Sequence, residues 1–451
     1  MQFESSPEPR IRIEADYQLK NTGNQPLSEI DLRLPGRRRF HYEEPRASWD
    51  GGAMTLGSSQ ENPRDARIRF AQPWNLSARH TLHLSLEYLP GAPQETALSF
   101  ANDAFFLPEQ GWSPELLPAW GLFATGGVPP KKWELNVRVP EGFLVHTSGG
   151  PAKSSRRAGE LTVRVTQRAK DRYPFVIAGR YASAQMGSGK EKIYLWTRGK
   201  QGEAGLRQVS DALARTVEVY DSVFGVRTKG PSAMWIVECP VAAGCFTNFN
   251  PATAKLLGED EKEPASAEMV SLDTVVVDLR LGTPKLAAVA APSLASSWLG
   301  YAQSPGFYEQ EPPLSAFLAF AASIGKEAAG GAEARSETIR RALRLIPEKA
   351  ENRQPEDQTV LRAKSFLFFY ALQDKYGREA FRSAMRHMLD ARRGRGFELR
   401  DLIAAFERET HQNVAEFVRL WMKRPGVPDD FRTRYEGAAA DTADIPKETR
   451  Q

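Results

Sequence analysis

Hydrophobic and polar residues alternate with a period of two across residues 1–183. In such a pattern every second side chain faces the core, which is typical of antiparallel strands with one face in water. Gly- and Pro-rich turns separate the alternating segments, so the pattern predicts an N-terminal β-sheet or sandwich domain over residues 1–183. The positions predicted to face inward are Ile11, Ile13, Ala15, Tyr17, Leu19, Ile30, Leu32, Leu34, Leu82, Leu84, Leu86, Tyr88, Trp133, Leu135, Val137, Val139, Leu161, Val163 and Val165.

Strand and helix patterns mix over residues 184–330, which predicts an α/β domain. The segments "KIYLWT", "SAMWIVEC" and "MVSLDTVVVDLRL" each predict one strand, and the third is apolar on both sides, which indicates a buried strand. Between the first two, "GLRQVSDALARTVEVYDSVFG" has apolar residues at three- and four-residue spacing. This spacing predicts an amphipathic helix that ends at Gly225.

Helical spacing dominates the last part of the chain, so we assign 331–435 to a helical part that completes the second domain. The segment "VLRAKSFLFFYALQDKYG" places Phe366, Phe369 and Tyr370 on one stripe of a helix. The stretch "IGKEAAGGAEARSE" (324–337) predicts a linker ahead of these helices. The small, polar residues 436–451 predict a disordered tail.

Composition narrows the class of protein only a little. The 451 residues are 41% hydrophobic and 26% charged, which is typical of a globular protein of two or three domains. Lys and Arg number 60 against 56 Asp and Glu, and the basic clusters at Arg37–Arg39 and Arg392–Arg395 are interpreted as solvated surface, so no nucleic-acid partner is expected. No apolar run predicts a membrane-spanning segment or a leader. The chain as written is expected in the cytoplasm, and exported or membrane-associated if its true N-terminus is missing.

Cysteine and histidine give no metal-binding pattern. Cys239 and Cys245 are expected to be small buried residues, with a local disulfide as the alternative. None of the six histidines falls between residues 147 and 386. All six are interpreted as structural or surface residues: His41, His80, His83, His146, His387 and His411. The spacing of His80 and His83 alone could suggest a metal site.

The stretch "APSLASSWLG" (291–300) resembles "AHELAHQWFG", the metal-binding helix of the aminopeptidase N family of zinc peptidases. The two zinc-binding histidines of that family fall on Pro292 and Ser296, and the general base falls on Ser293. Ser315 follows Ser296 with eighteen residues between them, which is the position of the family's third ligand, a glutamate. The matching positions are scaffold residues: Ala291, Leu294, Ala295, Trp298 and Gly300.

Two further segments resemble the same family. "GCFTN" (Gly244, Cys245, Phe246, Thr247 and Asn248) lies at the family's GAMEN segment, with Thr247 in place of the glutamate that binds the substrate amine. "RAKS" lies at the YxKG segment, where Arg362 replaces the catalytic tyrosine and Lys364 is retained. With "YGREAF" and "WMKRPGVP", the resemblance extends over nearly the whole chain.

The resemblance implies a thermolysin-like (gluzincin) α/β domain whose active site is degenerate. Active members hold zinc by two histidines on one helical face and a distant glutamate, which leaves a position for an activated water. Serine hydroxyls are poor zinc ligands and proline has no donor, so no zinc is expected. Pro292 also predicts that the helix begins or is kinked near it.

The sequence therefore predicts a catalytically inactive, aminopeptidase N-like pseudopeptidase that binds a peptide or protein, with a vestigial substrate cleft at residues 244–248. The alternative is a hydrolase or peptidase that uses a site foreign to the family. The serines of "SLASSW" have no nearby histidine and no G-x-S-x-G turn is present, so no such site is visible. Taken alone, "LAAVAAPSLASSWLG" also fits a core helix of small residues.

Overall fold

The computed structural model describes two compact units. The N-terminal unit is formed by Met1–Ala182 and Cys239–Thr247, and the C-terminal unit by Ser183–Glu238 and Asn248–Gln451. The residues described are 1–5, 9–35, 41–42, 45–58, 65–89, 99–101, 103–108, 112–117, 131–149, 152–168, 174–186, 192–198, 203–225, 233–240, 267–271, 273–279, 290–291, 294–295, 298, 314–347, 358–391, 398–424 and 426–436.

The strands precede most of the helices along the chain. They are β1 (Gln2–Glu4), β2 (Arg10–Lys20), β3 (Leu27–Arg33), β4 (His41–Tyr42), β5 (Arg46–Trp49), β6 (Gly52–Met54), β7 (Gly57–Ser58), β8 (Asp65–Trp74), β9 (Arg79–Leu89), β10 (Ser99–Ala101), β11 (Ala104–Leu107), β12 (Glu115–Leu116), β13 (Lys132–Pro140), β14 (Leu144–Thr147), β15 (Lys153–Arg157), β16 (Glu160–Arg168), β17 (Val176–Gly179), β18 (Ala182–Met186), β19 (Lys192–Thr197), β20 (Ala233–Glu238), β21 (Ala267–Ser271) and β22 (Thr274–Val277).

The described strands of the N-terminal unit form three sheets. The largest has the strand order β15-β16-β13-β1-β2-β9-β5-β6, with β4 also paired to β9, and the others run β10-β11-β17-β14 and β12-β3-β8-β7. Antiparallel pairing sets apolar residues opposite each other, as in Ile13↔Leu86 and Val137↔Val163. Every predicted inward position is buried or half-buried in one core, so the predicted alternation is confirmed.

A mixed sheet lies in the C-terminal unit, in the order β18-β19-β20-β22-β21. Strands β19, β20 and β22 are parallel, and β21 is antiparallel to β22. The prediction of one strand over "MVSLDTVVVDLRL" is wrong, because the chain reverses between β21 and β22. The carboxylate of Asp273 accepts hydrogen bonds from the hydroxyls of Ser271 and Thr274, which stabilises the reversal.

Helices follow from residue 203 onward. The first ends one residue before Gly225, as predicted, and Gly225 takes a left-handed conformation (φ +84°) that glycine tolerates. The helices are α1 (Glu203–Phe224), α2 (Leu314–Arg344), α3 (Gln358–Tyr376), α4 (Arg378–Ala391), α5 (Leu399–Thr410), α6 (Val414–Lys423) and α7 (Asp429–Glu436). None of the described helices is long and apolar enough to cross a membrane.

The linker predicted over 324–337 is wrong, because α2 runs through it. Its Ala-, Glu-, Lys- and Arg-rich composition favours a helix, and the two adjacent glycines only kink it. The kink lies at Gly331, whose φ of 71° and ψ of −163° are not helical. The predicted tail beyond Glu436 and the basic clusters at 37–39 and 392–395 lie outside the described residues.

Helix α3 forms the centre of the C-terminal core. The three residues predicted to share a stripe, Phe366, Phe369 and Tyr370, are all buried. The helix is also buried between them, at Leu367 and Phe368, so it is surrounded by the core on every side. Together the two units give a mixed α+β architecture with a sheet-rich N-terminal part and a helical C-terminal part.

Candidate functional site

The segment 290–298 carries the resemblance to a metal-binding helix, and its described residues are helical. They belong to the core of the C-terminal unit and lie with residues of α1 and α2. Their exposed fractions are 0–3%, in the order Ala290, Ala291, Leu294, Ala295 and Trp298. The scaffold positions of the segment are therefore committed to packing.

A buried tyrosine on α1 ties this segment to α2. The Tyr220 hydroxyl lies 2.9 Å from the carbonyl oxygen of Ala291 and 2.9 Å from that of Ala321. The hydroxyl has one hydrogen, so the two acceptors share it. Burial raises the pKa of Tyr220 well above its usual value, which keeps the phenol neutral and leaves it a donor.

Gly325 lets these three elements approach closely. A Cβ on Gly325 would lie 2.6 Å from the Tyr220 hydroxyl oxygen and 2.7 Å from the Ala291 Cβ. Any larger residue there would push α2 away from α1 and from the 290–298 segment. No sequence pattern indicates this role, because Gly325 lies in the segment predicted as a linker.

Trp298 is held by a second contact with α1. Its indole Nε1 donates to the Asp221 carboxylate at 3.0 Å, and its ring lies 5.3 Å from that of Tyr220. The hydrogen bond and the ring contact together fix the rotation of the side chain. The Trp that matches the family pattern is thus a packing residue in this chain.

The predicted metal and catalytic positions are only partly described. Pro292, Ser293 and Ser296 lie outside the described residues, and so do the predicted cleft residues 244–248. Ser315 lies in the first turn of α2, and its side chain is not described. The start of the helix near Pro292 stays a prediction, although Ala290 and Ala291 before it are already helical.

The aromatic residues after Ser315 join the helix that carries Arg362. Phe317 and Phe320 are 1% and 0% exposed, and their rings lie 5.0 and 5.1 Å from that of Phe369 on α3. Arg362 is half-buried on the first turns of the same helix. The structure thus brings α2, α3 and the described residues of the 290–298 segment into one core.

Lys364, the residue retained from the YxKG segment, has a structural role here. It is 1% exposed, and its ammonium donates to the carbonyl oxygens of Met422, at 2.9 Å, and Arg424. These carbonyls end α6, where the helix dipole favours a cation. The indole of Trp421 returns a hydrogen bond to the Lys364 carbonyl at 3.3 Å. Lys364 therefore joins α3 to the end of α6.

The residues predicted to lie at the metal positions, Pro292, Ser296 and Ser315, do not have donors that fit zinc. Proline offers no donor, and neutral serine hydroxyls are poor ligands beside imidazole, thiolate or carboxylate. Within the described ranges, no group of three or more His, Cys, Asp or Glu side chains could hold a metal ion. The histidines His387 and His411 of the C-terminal unit have other contacts. His387 lies 3.6 Å from Glu409, and His411 caps the end of α5.

A polar cluster in the C-terminal core has perturbed pKa values but no access to substrate. Ser323 and Tyr370 share a hydrogen bond of 2.6 Å, and the Arg335 guanidinium lies 5.0 Å from the Tyr370 ring. Both hydroxyl groups are sealed, at 1% and 0% exposure, and burial raises the pKa of Tyr370. A raised pKa keeps the phenol protonated, so it cannot serve Ser323 as a base.

Cys239 is buried, as predicted, and it is disulfide-bonded. The sequence has only one other cysteine, Cys245, which lies outside the described residues. The alternative of a local disulfide, which the sequence left open, therefore applies.

Comparison with known proteins identifies the fold. No protein-family model matches the chain, and no curated protein matches its sequence. Among solved structures, the M1 zinc metallopeptidase of Deinococcus radiodurans has a TM-score of 0.51 at 17% identity, covering 95% of this chain and 92% of that one. A point mutant bound to a Tyr-Ser-Ala substrate, from the same organism, has a TM-score of 0.52 at 16% identity, with coverage of 95% and 93%. The chain therefore has the fold of these peptidases.

Proposed function

We propose that this protein is a catalytically inactive pseudopeptidase of the aminopeptidase N type, and that it binds a peptide or protein partner. The observation that carries the proposal is a contrast within one short segment. Scaffold residues such as Leu294 and Trp298 match the family and are buried in the core. At the positions where the family has its zinc ligands and general base, this chain has Pro292, Ser293 and Ser296. The fold is retained, and the residues that would perform the chemistry are replaced.

The proposal includes a thermolysin-like organisation of the C-terminal unit. It is supported by a mixed sheet whose antiparallel strand β21 pairs with β22, and by the core shared by the 290–298 segment, α2 and α3. In this organisation Ser315 takes the place of the third zinc ligand and Arg362 that of the catalytic tyrosine. Arg362 then places a cation with several N–H donors where, in active members of the family, the tyrosine hydroxyl stabilises an oxyanion.

Peptide binding is assigned to residues 244–248 and the neighbouring strand edge. An extended peptide can add to a strand edge through backbone hydrogen bonds, which do not require a metal. Thr247 replaces the glutamate that would form an ion pair with a free amine, so the site is expected to accept acetylated and free N-termini equally.

Zinc content is the first test. The protein is purified without a metal-binding tag and dialysed against a buffer that contains zinc. Elemental mass spectrometry should then find less than about a tenth of an equivalent of zinc, whereas an intact site would bind zinc tightly. A full equivalent would overturn the proposal, because other ligands would then converge in the fold. Peptidase assays would follow, and activity without zinc would favour a hydrolase site foreign to the family.

A restored site tests the register. The quadruple variant Pro292→His, Ser293→Glu, Ser296→His and Ser315→Glu is expected to gain about one equivalent of zinc if these positions face one another. The matched control places the second histidine one residue later, as Ser297→His with Ser296 unchanged. Equal zinc uptake by both variants would show that the assigned register is wrong.

The peptide site is tested by restoring one carboxylate. Thr247→Glu should give a preference of roughly tenfold for a free over an acetylated N-terminus, because it recreates a charge-assisted contact with the amine. Fluorescence polarisation with paired labelled peptides measures this ratio, and Thr247→Gln is the size-matched neutral control. A wild-type protein that binds neither peptide series would contradict the binding role.

The disulfide at Cys239 favours an oxidising compartment over the cytoplasm. Trapping of free thiols with a maleimide of high mass, directly upon cell lysis, tests this inference. Protein from its native cells should shift on a gel only after reduction. A full shift without reduction would return the assignment to the cytoplasm.

A further inference from the structure

A pocket of about 200 Å³ lies where α1, α2, α3 and α4 meet in the C-terminal unit. It lies outside the residues assigned to the peptidase-like site. Its volume is equivalent to roughly six or seven water molecules at ~30 Å³ each, which suits one amino-acid residue rather than a long ligand.

One wall of the pocket is apolar. Val219 and Val223 come from successive turns of α1, and Ile324 comes from α2. Val223 and Ile324 are 4% and 5% exposed, so they form the floor and not the rim. Such a wall favours an aliphatic group.

Arginines form the polar lining of the pocket. Arg335, Arg378 and Arg382 line it together with one carboxylate, Glu327. Each guanidinium already has one carboxylate partner, which is Asp374 for Arg335, Glu327 for Arg378 and Glu379 for Arg382. Arg335 is held at the back with 10% of its side chain exposed, whereas those of Arg378 and Arg382 are 57% and 34% exposed and lie near the opening.

The partners of the arginines leave N–H groups available to a ligand. Arg378 donates to Glu327 at 2.9 Å, and Arg382 donates to Glu379 at 2.9 Å. Glu379 is 86% exposed, so its ion pair with Arg382 is weak in water. A carboxylate bound between Arg378 and Arg382 would be shared by two guanidinium groups, each able to donate more than one hydrogen bond.

Gln373 adds an unsatisfied acceptor. Its side-chain carbonyl oxygen is inaccessible to water and has no hydrogen-bond partner among the described residues. A buried acceptor without a donor is unfavourable. Gln373 lines the pocket, so a rotation of its terminal amide, which costs little, would bring this oxygen to the pocket, where a ligand N–H beside a carboxylate would satisfy it.

We propose that the pocket binds the free C-terminal residue of a peptide with an aliphatic side chain. The carboxylate contacts Arg378 and Arg382, the last peptide N–H donates to Gln373, and the side chain packs on Val219, Val223 and Ile324. This site is independent of the proposed loss of zinc. It recognises the opposite end of a peptide from the one that an aminopeptidase binds.

Isothermal titration calorimetry with N-acetyl-L-leucine tests the proposal, because this probe carries the carboxylate, the N–H and the aliphatic group alone. Saturable binding is expected, and N-acetyl-L-leucinamide, which lacks the charge, should bind at least about tenfold more weakly. Absence of saturation by about 10 mM N-acetyl-L-leucine, or equal binding of acid and amide, would overturn the proposal.

Two variants with opposite expected effects separate binding from folding. Arg382→Ala should weaken N-acetyl-L-leucine binding by about tenfold. Glu327→Gln should strengthen it several-fold, because it releases Arg378 from a competing carboxylate without changing the side-chain size. Arg400→Ala, at a 73% exposed arginine of α5, is the matched control and should change nothing. A weaker affinity in Glu327→Gln with an unchanged melting temperature would contradict the assignment.

Discussion

Strand β9 of the N-terminal unit and helix α3 of the C-terminal unit are both rich in buried residues, but they bury them in different ways. Along β9, Leu82, Leu84, Leu86 and Tyr88 are at most 2% exposed, and the residues between them are only half-buried. Along α3, every residue from Ala363 to Leu372 is at most 4% exposed. An element that is buried on one side has hydrophobic residues at a regular period in the sequence, whereas an element that is buried on all sides has no such period.

This difference also decides where polar side chains can act. The outer face of the N-terminal sheet carries ion pairs such as Arg10–Glu87 and Arg164–Glu134, which water screens. In the helical core, polar groups are buried and each joins specific elements, as Tyr220 and Lys364 do. Substitutions on the sheet should therefore have graded effects, whereas those in the core should be large.

Neighbouring truncations in the two elements should show the largest contrast. Phe368→Ala and Phe369→Ala, adjacent on α3, are each expected to cost about 3–5 kcal/mol of unfolding free energy. On β9, Leu84→Ala should cost about 2–5 kcal/mol, whereas Ser85→Ala should change it by less than about 0.5 kcal/mol. Urea unfolding followed by circular dichroism measures all four. A much smaller loss of unfolding free energy at either phenylalanine would show that one face of α3 is exposed to solvent.

Removing the buried cation should have the next largest effect. Lys364→Met keeps the aliphatic stem but leaves the carbonyls of Met422 and Arg424 without this donor. The expected loss is about 1–3 kcal/mol, the cost of unsatisfied buried polar groups. Lys375→Met, on an exposed residue of the same helix, is the matched control for the urea midpoint. Equal midpoints for the two variants would contradict the structural role of Lys364.

The same contrast explains how much the sequence could predict. The alternating strands of the N-terminal unit and the end of α1 at Gly225 were predicted correctly, because each depends on local period or backbone geometry. The reversal at Asp273 was missed, since apolar residues continue on both sides of it. The linker prediction over 324–337 is wrong, because packing along the rest of α2 outweighs the low helix propensity of the two adjacent glycines in that stretch.

For the candidate site the sequence predicts a register, from the spacing of Ser296 to Ser315 and the match at Trp298. That register stays a prediction, because Pro292, Ser293 and Ser296 lie outside the described residues, but the described part of 290–298 shares one core with α2 and α3. The contacts of Tyr220, Gly325 and Lys364 depend on residues far apart in sequence. No local pattern could have predicted them, because each arises only when two or three elements meet.

Gly325 should show a smaller effect than Lys364. Gly325→Ala gains about 1 kcal/mol of helix propensity, but its Cβ would meet Tyr220 and Ala291, and overpacking costs about 1–3 kcal/mol. The net loss is expected near 1 kcal/mol. A double-mutant cycle with Tyr220→Phe, which removes the oxygen 2.6 Å from that Cβ, should give a coupling of at least about 0.5 kcal/mol. Additive losses would show that α2 shifts freely.

The smallest effect is expected on the wet face of the sheet, at His83. A hydrogen bond to Asp16, with the nearby charge of Glu14, raises the pKa of this half-exposed imidazole in the folded protein. A raised folded pKa means that the charged form is stabilised, so its contribution is present below about pH 6.5 and is lost as pH rises through the folded pKa.

His83→Gln should therefore lower the melting temperature slightly near pH 5.5 and leave it unchanged near pH 8.5, where the imidazole is neutral. Because solvent screens the pair, the shift should be much smaller than those in the helical core. Melting curves at both pH values measure it, and Asp16→Asn should remove most of the same pH dependence. A loss at pH 8.5 as large as at pH 5.5 would show that His83 acts by packing and not by charge.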